Sequence, residues 1–234
     1  MNLRKDIFLL IGQSNMAGRG PLDALPPIEH PHIFMFRENN WLAAREPLHT
    51  DKPAIAGIGP GMSFALALLE KNPEARIGLL PCAVGGTPLR RWMPGEDLFN
   101  NAVAVTRQAC ANGILKGILW HQGENDSARE EDTKTYGQRL EEMIPALRAA
   151  LGCPEVPFIA GELGAFLARY TPPRPLYASV NRQLRLLEGR VSRYACVSSE
   201  GLKDKGDNLH FDSASLREMG RRYARAWLFV AVKR

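Results

Sequence analysis

The chain has 234 residues, 45% of them hydrophobic and 24% charged. This is the composition of a soluble globular protein, and the length suits one α/β domain over residues 1–234. The formal net charge of +5 raises the question of a nucleic-acid partner. The basic residues are spread along the chain, however, and where they are densest, at 217–225, Glu218 and helical apolar spacing indicate a solvated helix face. We therefore expect no nucleic-acid partner.

The amino terminus and the cysteines indicate the compartment. Basic residues precede an apolar run of only about five residues, shorter than the core of an export signal, and no apolar run is long enough to span a membrane. The four cysteines form no CxxC pair, which predicts reduced thiols. We expect a cytoplasmic protein with no membrane association, or a secreted or periplasmic one if a signal peptide has been removed.

Short apolar runs alternate with longer amphipathic segments along the whole chain. The runs predicted as strands are residues 6–12, 32–36, 75–82, 114–121, 156–161 and 193–198. The segments predicted as helices are residues 61–71, 99–111, 127–151, 175–189 and 213–230. This alternation predicts a mostly parallel sheet with helices on both faces, in which ligands bind beyond the carboxyl ends of the strands.

Residues 19–60 interrupt the alternation because they are rich in proline and poor in periodicity. Long irregular segments in compact domains are usually functional or disordered. This one follows the first strand, so we interpret it as a loop that faces the substrate.

The first strand ends in Gly12-Gln13 and delivers Ser14 to the carboxyl edge of the sheet, beside the start of a helix. Unpaired backbone N–H groups at a helix start stabilise negative charge, which suits a nucleophile. A serine that simply caps the helix would give the same local pattern.

A nucleophilic serine needs a base, and His210 lies just ahead of the last predicted helix with Asp207 three residues before it. In a turn, this spacing lets the carboxylate orient the imidazole. The alternative is a loop in which Asp212 or Ser213 caps a helix. His121, at the end of a strand, is the main competing base. The remaining histidines lie in or beside the irregular segment: His30, His32 and His49.

Acyl transfer also needs hydrogen-bond donors for the developing oxyanion. The Ser14 N–H is one candidate, and two strand ends offer others. One continues into Gly85-Gly86-Thr87, where a backbone N–H can approach a ligand closely. The other runs from His121 to Glu124 and includes the side-chain amide of Gln122. Each segment alone is also typical of a simple turn or helix start.

Four segments, GQSNMAG, AVGGT, WHQGEND and DNLH, resemble in order the sequence blocks of the SGNH (GDSL-type) hydrolases. The similarity is greatest to the acetylxylan-esterase-like carbohydrate esterases of family 6, which are related to sialate O-acetylesterases. The resemblance implies a three-layer α/β/α sandwich of flavodoxin type. It implies that Ser14 is the nucleophile, His210 the general base and acid, and Asp207 its orienting carboxylate.

The resemblance also implies an oxyanion hole made by the N–H groups of Ser14 and Gly86 and by one side-chain amide. The resemblance assigns this amide to Gln122 of HQGEND; the wider superfamily supplies it from an asparagine in a G-x-N-D pattern, so Asn125 is the alternative. Glu124 could hold the nucleophile loop or act as an alternative acid, and we favour the supporting role. The residues expected to support the site or bind substrate are Gln13, Asn15, Gly85, Thr87, His121 and Glu124.

The expected function is a serine esterase that removes O-acetyl groups from a carbohydrate, with no metal and no cofactor. A lipase or thioesterase for longer acyl chains is one alternative, but the loops offer polar and aromatic residues rather than an extended apolar lining: Arg19, Arg37, Arg90, Arg91 and Trp92. A non-catalytic carbohydrate-binding module is another. The cluster Arg90-Arg91-Trp92 could contact a sugar, or it could be a solvated helix start with one buried aromatic residue.

Overall fold

The computed structural model describes residues 4–232, and seven strands in it form one sheet. The strands are β1 (Lys5–Gly12), β2 (Ile33–Arg37), β3 (Asn40–Ala43), β4 (Ile77–Pro81), β5 (Gly113–His121), β6 (Phe158–Gly161) and β7 (Tyr194–Val197). Their order across the sheet is β3-β2-β4-β1-β5-β6-β7. Every neighbouring pair is parallel except β2 and β3, so the carboxyl ends of six strands lie along one edge.

Helices cover both faces of this sheet. They are α1 (Ser14–Ala17), α2 (Gly61–Leu69), α3 (Asp97–Ala109), α4 (Glu130–Lys134), α5 (Tyr136–Ala150), α6 (Tyr177–Leu186) and α7 (Ser213–Val232). The α2 and α7 helices pack together on one face, while α3, α5 and α6 form the other layer. The predicted three-layer α/β/α sandwich is confirmed.

The β1 strand lies at the centre of the sheet and is buried on both faces. All five residues of its apolar run, Ile7 to Ile11, are fully inaccessible to solvent. Burying one such side chain stabilises a fold by roughly 1.5–3 kcal/mol. The central strand is therefore a rigid support for the residues that follow its carboxyl end.

Two features differ from the predicted elements. The β3 strand was not predicted; it pairs with β2 through a two-residue turn in which Glu38 and Asn39 both have positive φ angles, 50° and 60°. Such turns suit the twist of a hairpin. This edge strand is short and mostly exposed, so it lacks the apolar pattern of the buried strands.

The helix predicted over 127–151 is instead divided into a 3-10 turn, α4 and α5. Arg129, between the first two, has an extended backbone with φ −128° and ψ 140°. The Thr133 hydroxyl donates to the Asp126 carbonyl oxygen at 2.8 Å, and Arg139 bonds the Asp126 carboxylate. These tertiary contacts of Asp126 override the helical periodicity.

The segment 19–60 is ordered around the β2–β3 hairpin. An antiparallel bridge joins Gly20 to Ile58, and a buried ion pair joins Glu46 to Arg217 of α7. No helix within residues 4–232 combines the length and the apolar character that a membrane span requires.

Candidate active site

Ser14 is the first residue of α1 and follows the carboxyl end of the central strand. The turn between them depends on Gly12, whose φ of +123° is open to glycine and strained for other residues. The Gln13 N–H donates to the His121 carbonyl oxygen at 2.8 Å, which ties the turn to β5. The serine is therefore held at the edge of the sheet by β1, which precedes it, and by β5, which bonds the turn.

His210 reaches Ser14 from the loop that precedes α7. Its Nε2 atom is 3.1 Å from the Ser14 Oγ atom, and its Nδ1 atom is 2.7 Å from Oδ2 of Asp207. The other carboxylate oxygen of Asp207 accepts the backbone N–H groups of Leu209 at 2.9 Å and His210 at 2.8 Å. One aspartate thus shapes the turn and orients the ring. The three residues that the sequence singled out are joined in one hydrogen-bonded chain.

The pKa values of His210 and Asp207 suit proton transfer along the hydrogen bonds that join them to Ser14. Burial lowers the pKa of His210 below its ordinary value, and the Asp207 carboxylate offsets only part of that effect. Burial opposes ionisation of Asp207, but donors from His210 and Leu209 outweigh it and hold the pKa of Asp207 below its usual range. At neutral pH the imidazole is neutral, with a proton on Nδ1 and a free lone pair on Nε2.

Asn15 fastens the nucleophile helix to the histidine loop. Its Nδ2 atom donates to Glu124 Oε1 at 2.6 Å and to the Leu209 carbonyl oxygen at 3.2 Å. Its Oδ1 atom accepts the Phe211 N–H at 3.1 Å. Glu124 is buried, which raises its pKa to about 7. These contacts fit the supporting role expected for both side chains.

Backbone donors face the same cleft. Gly86 has a φ of +78°, and its N–H group has no acceptor among the described residues, nor has the Ser14 N–H. Both residues line the cleft with Asn125, whose Nδ2 atom donates to the Gly86 carbonyl oxygen at 3.1 Å and keeps its second hydrogen available. These groups form a concave set of donors beside the Ser14 hydroxyl.

Gln122 does not fit the oxyanion-donor role that the family resemblance implied for it. The side chain is fully buried, and its Nε2 atom donates to Asp126 Oδ2 at 2.6 Å and to the Thr87 carbonyl oxygen at 3.0 Å. It lies outside the lining of the cleft, whereas Asn125 belongs to it. The signal was present in the sequence, because residues 123–126 read GEND and so fit the G-x-N-D pattern.

His121, the competing base, lies behind the site rather than in it. The Tyr223 hydroxyl donates to the Trp120 carbonyl oxygen at 2.8 Å, so it accepts the Nδ1 proton of His121 at 3.1 Å. Complete burial lowers the pKa of His121 to about 3. Its Nε2 atom has no hydrogen-bond partner among the described residues and is 3.8 Å from Glu124 Oε1. A neutral, enclosed imidazole of this kind has a packing role.

The remaining residues expected to support the site are Gln13, Thr87 and Gly85, which lie in or beside the wall of the cleft. The Gln13 side-chain oxygen accepts the Asn125 N–H at 3.4 Å, and its amide lies in the cleft wall. Thr87 is buried, and its hydroxyl donates to the Val84 carbonyl oxygen at 2.8 Å. Gly85 packs against the buried Arg19 side chain, which leaves no room for a Cβ atom.

The cleft has a volume of about 190 Å³, and three basic side chains, Arg19, Lys52 and Arg174, belong to its wall. It is lined by Gln13, Ser14, Arg19, Lys52, Ile55, Gly86, Glu124, Asn125, Tyr170, Arg174, Leu209 and His210. Three of these come from the segment 19–60, in agreement with its expected position beside the substrate. The cluster 90–92 lies outside the cleft: Trp92 packs in the core against Trp120, and Arg91 pairs with Asp97.

This arrangement places an alcohol, a neutral imidazole oriented by a carboxylate, and unpartnered N–H donors around one small space. Together they can activate the alcohol for attack on a carbonyl carbon and stabilise the resulting oxyanion. Within residues 4–232, no group of three or more histidine, cysteine or acidic side chains is placed to hold a metal ion.

Comparisons with known proteins agree with this chemistry. The model of a family described as carbohydrate esterase, sialic acid-specific acetylesterase, matches residues 4–229. A probable carbohydrate esterase of Arabidopsis thaliana is 34% identical over 242 aligned positions, gaps included, and the match covers 95% of this chain and 90% of the relative.

Solved structures share the fold along the whole chain. A structure of an Arabidopsis thaliana protein has a TM-score of 0.87 and 32% identity and covers 97% of this chain and 99% of its own. The crystal structure of NanS has a TM-score of 0.78 at 19% identity, with 97% of each chain covered, and this likeness concerns the fold alone. The length of the family match and the identity to the plant relative establish that the chain belongs to the sialic acid-specific acetylesterase family of carbohydrate esterases and is a carboxylic ester hydrolase.

Proposed function

We propose that this esterase removes O-acetyl groups from carbohydrates through a Ser14–His210–Asp207 triad and an acetyl-enzyme intermediate. One observation carries the proposal. The Ser14 hydroxyl, the His210 ring and the Asp207 carboxylate form an unbroken chain with distances of 3.1 and 2.7 Å.

In the acylation step, His210 Nε2 takes the hydroxyl proton of Ser14 while Oγ forms a bond to the acetyl carbonyl carbon. The carbonyl oxygen becomes an oxyanion that accepts hydrogen bonds from the N–H groups of Ser14 and Gly86 and from the Asn125 amide. His210 then gives its proton to the sugar oxygen as the carbon–oxygen bond of the ester breaks. The sugar leaves with a free hydroxyl group.

In the deacylation step, a water molecule replaces the sugar. His210 removes a proton from the water as its oxygen attacks the acetyl carbon on Ser14, and the same donors hold the oxyanion. Collapse returns the proton to Ser14 Oγ and releases acetate. Asp207 stabilises the imidazolium in both steps.

The size of the cleft favours a short acyl group. A volume of about 190 Å³ with Arg19, Lys52 and Arg174 in its wall provides no extended apolar surface for a long chain. This argues for an acetyl ester over the substrates of a lipase or thioesterase.

The charge of the cleft favours an acidic sugar. Arg19 is paired with Asp51, but Lys52 and Arg174 have no carboxylate partner within the described residues. Glu124, the acidic residue of the lining, has a raised pKa and is largely protonated below pH 7. Two unpaired cations beside the nucleophile would attract a carboxylate on the sugar, as the description of the family suggests for sialic acid.

The test measures acetate release from O-acetylated sialic acid, acetylated monosaccharides and acetylated xylan by the wild type and by Ser14→Ala. We expect activity on at least one acetylated sugar, fastest on the acidic one, and a loss in kcat of at least about 10⁴-fold in the variant. The wild type should also react with a fluorophosphonate, and Ser14→Ala should not. Turnover by Ser14→Ala near the wild-type rate would remove the serine from its proposed role.

A further inference from the structure

We propose that Asp51 is a positioning residue that directs the Gly86 N–H into the oxyanion hole. The inference rests on the proposed function, because it concerns the same donor set. Asp51 belongs to the segment 19–60, for which the sequence predicted only contact with the substrate.

The first observation is the contact between Asp51 and the loop that carries the donor. Oδ2 of Asp51 accepts the N–H of Gly85 at 2.7 Å. Gly85 immediately precedes Gly86, and the N–H of Gly86 has no acceptor among residues 4–232. With Gly85 fixed and the Gly86 carbonyl oxygen held by Asn125, the unpartnered N–H between them has little freedom to turn.

The rest of this loop is held in the same way. Gln122 donates to the Thr87 carbonyl oxygen at 3.0 Å, and Asp126 accepts the Leu89 N–H at 2.9 Å. Both contacts lie on the β5 side of the loop, whereas Asp51 approaches from the segment 19–60. Asp51 is therefore the anchor that the β5 residues cannot replace.

A buried ion pair fixes Asp51 itself. Its Oδ2 atom is 2.6 Å from the Nη2 atom of Arg19. The Asp51 side chain is only 4% exposed and the Arg19 side chain only 1%. Arg19 also donates to the Gly18 carbonyl oxygen at 2.7 Å, just beyond the nucleophile helix. The pair thus connects the helix that begins with Ser14 to the loop that carries the second oxyanion donor. This connection adds to the bond from the Val84 N–H to the Gly12 carbonyl oxygen at 3.0 Å in setting the two donors relative to each other.

The absence of a side chain at Gly85 supports this reading. A Cβ atom there would lie 2.5 Å from the Nη2 atom of Arg19 and 3.0 Å from the Oδ2 atom of Asp51. The backbone has to come this close to receive the carboxylate. Burial opposes ionisation of Asp51, but Arg19 and the Gly85 N–H outweigh it and keep the pKa of the carboxyl below its ordinary value. The carboxylate is therefore charged at neutral pH.

The role predicts a specific kinetic pattern. The oxyanion exists only in the transition state and the tetrahedral intermediate, so a misdirected donor lowers kcat and leaves KM nearly unchanged. Removing one oxyanion donor outright typically costs 10²–10³-fold in kcat. A donor that is present but loosely held should cost less, about 10-fold to 100-fold.

The experiment compares Asp51→Ala and Asp51→Asn with Glu46→Ala and Glu46→Gln. Glu46 is a matched control, because its buried ion pair with Arg217 also fastens the segment 19–60 but does not touch the loop at 85–89. Measurements are kcat and KM on an acetyl ester, the rate of fluorophosphonate labelling, and the free energy of unfolding. We expect Asp51→Ala to lower kcat and labelling about 10-fold to 100-fold at nearly constant KM. Asp51→Asn keeps an oxygen acceptor for Gly85 and should lose less, about threefold to 10-fold.

Both Glu46 variants should lose stability and keep the wild-type kcat. An active wild type whose kcat is unchanged by Asp51→Ala, or reduced equally by Glu46→Ala, would overturn the positioning role alone. Should Asp51→Ala fail to fold, Asp51→Asn decides: a reduced kcat at constant KM supports the role, and a wild-type kcat overturns it. A wild type that neither hydrolyses acetyl esters nor reacts with the fluorophosphonate would overturn the proposed function as well.

Discussion

Ser14 and His210 are 196 residues apart in the chain, yet their reactive atoms are within hydrogen-bond distance. Neither side chain is reactive by itself, since the serine hydroxyl needs a base and the imidazole needs an orienting partner. Asp207 meets the second need with a contact that is local in sequence. Asn15 meets a further one by fastening the two loops together.

At the scale of single residues, the geometry favours Asn125 over Gln122 as the side-chain donor in the proposed oxyanion hole. We expect Asn125→Ala to lower kcat by about 10²–10³-fold with little change in KM, because the lost hydrogen bond forms only in the transition state. Steady-state kinetics on an acetyl ester measure the effect. Asn100→Ala is the control, since Asn100 makes a comparable bond to the Gly95 carbonyl oxygen outside the cleft. A wild-type kcat in Asn125→Ala would count against the assignment.

Glu124 leads to a prediction about stability and pH. Burial raises its folded-state pKa from an ordinary 4.5 to about 7. Below pH 4.5 the carboxyl is protonated in both the folded and the unfolded protein. Between pH 4.5 and pH 7 the unfolded chain releases a proton that the folded protein keeps, so the free energy of unfolding falls as pH rises. This effect amounts to about 3 kcal/mol by pH 7.

Glu124→Gln removes the titrating proton and keeps an oxygen that can accept from Asn15. Between pH 4.5 and pH 8 the free energy of unfolding of the wild type should fall, relative to that of the variant, by up to about 3 kcal/mol. Urea denaturation at several pH values measures the difference. Parallel curves for the two proteins would show that Glu124 does not titrate in this range.

At the scale of elements, the site arises where parallel strands end. The β1 and β5 strands pair as far as Gly12 and His121, so the turns that follow them lie side by side. The apolar runs and glycine-rich strand ends predicted this much, because buried parallel strands have a recognisable composition. The β3 strand and the break at Arg129 were not predictable, since hairpin pairing and the contacts of Asp126 depend on residues elsewhere in the fold.

Gly12 is the element-scale residue on which the nucleophile turn depends. A Cβ atom there would lie 2.1 Å from the His121 carbonyl oxygen, at a φ of +123°. We expect Gly12→Ala to lower the free energy of unfolding by more than about 3 kcal/mol, through clash and strain together. Gly152→Ala is the control, because Gly152 has a φ of +66° but open space around it. That variant should lose only about 1–2 kcal/mol.

Chemical denaturation of both variants decides the comparison. Equal losses would mean that backbone strain alone matters and that the approach of β5 does not constrain the turn.

At the scale of the whole molecule, the fold brings Ser14 and His210, which are far apart in the sequence, together at the carboxyl edge of the sheet. The central strand contributes Ser14, the loop before the last helix contributes His210, and the segment 19–60 adds one wall of the cleft. The net charge of +5 is spread over the surface, but two cations of the cleft lining, Lys52 and Arg174, have no carboxylate partner among residues 4–232. The same distribution that argued against a nucleic-acid footprint therefore fits a small acidic substrate.

The sequence by itself determined the layered α/β architecture, and it singled out the serine, the histidine and the aspartate that hydrogen bonds join in the structure. Those features depend on local composition and short spacings, which periodicity and chemistry reveal. Only the tertiary structure decided that Gln122 faces Asp126 and Thr87, that His121 is enclosed beside Tyr223, and that Asp51 reaches Gly85. The direction of a side chain depends on which distant backbone groups need a partner, and that is set only when the chain is folded.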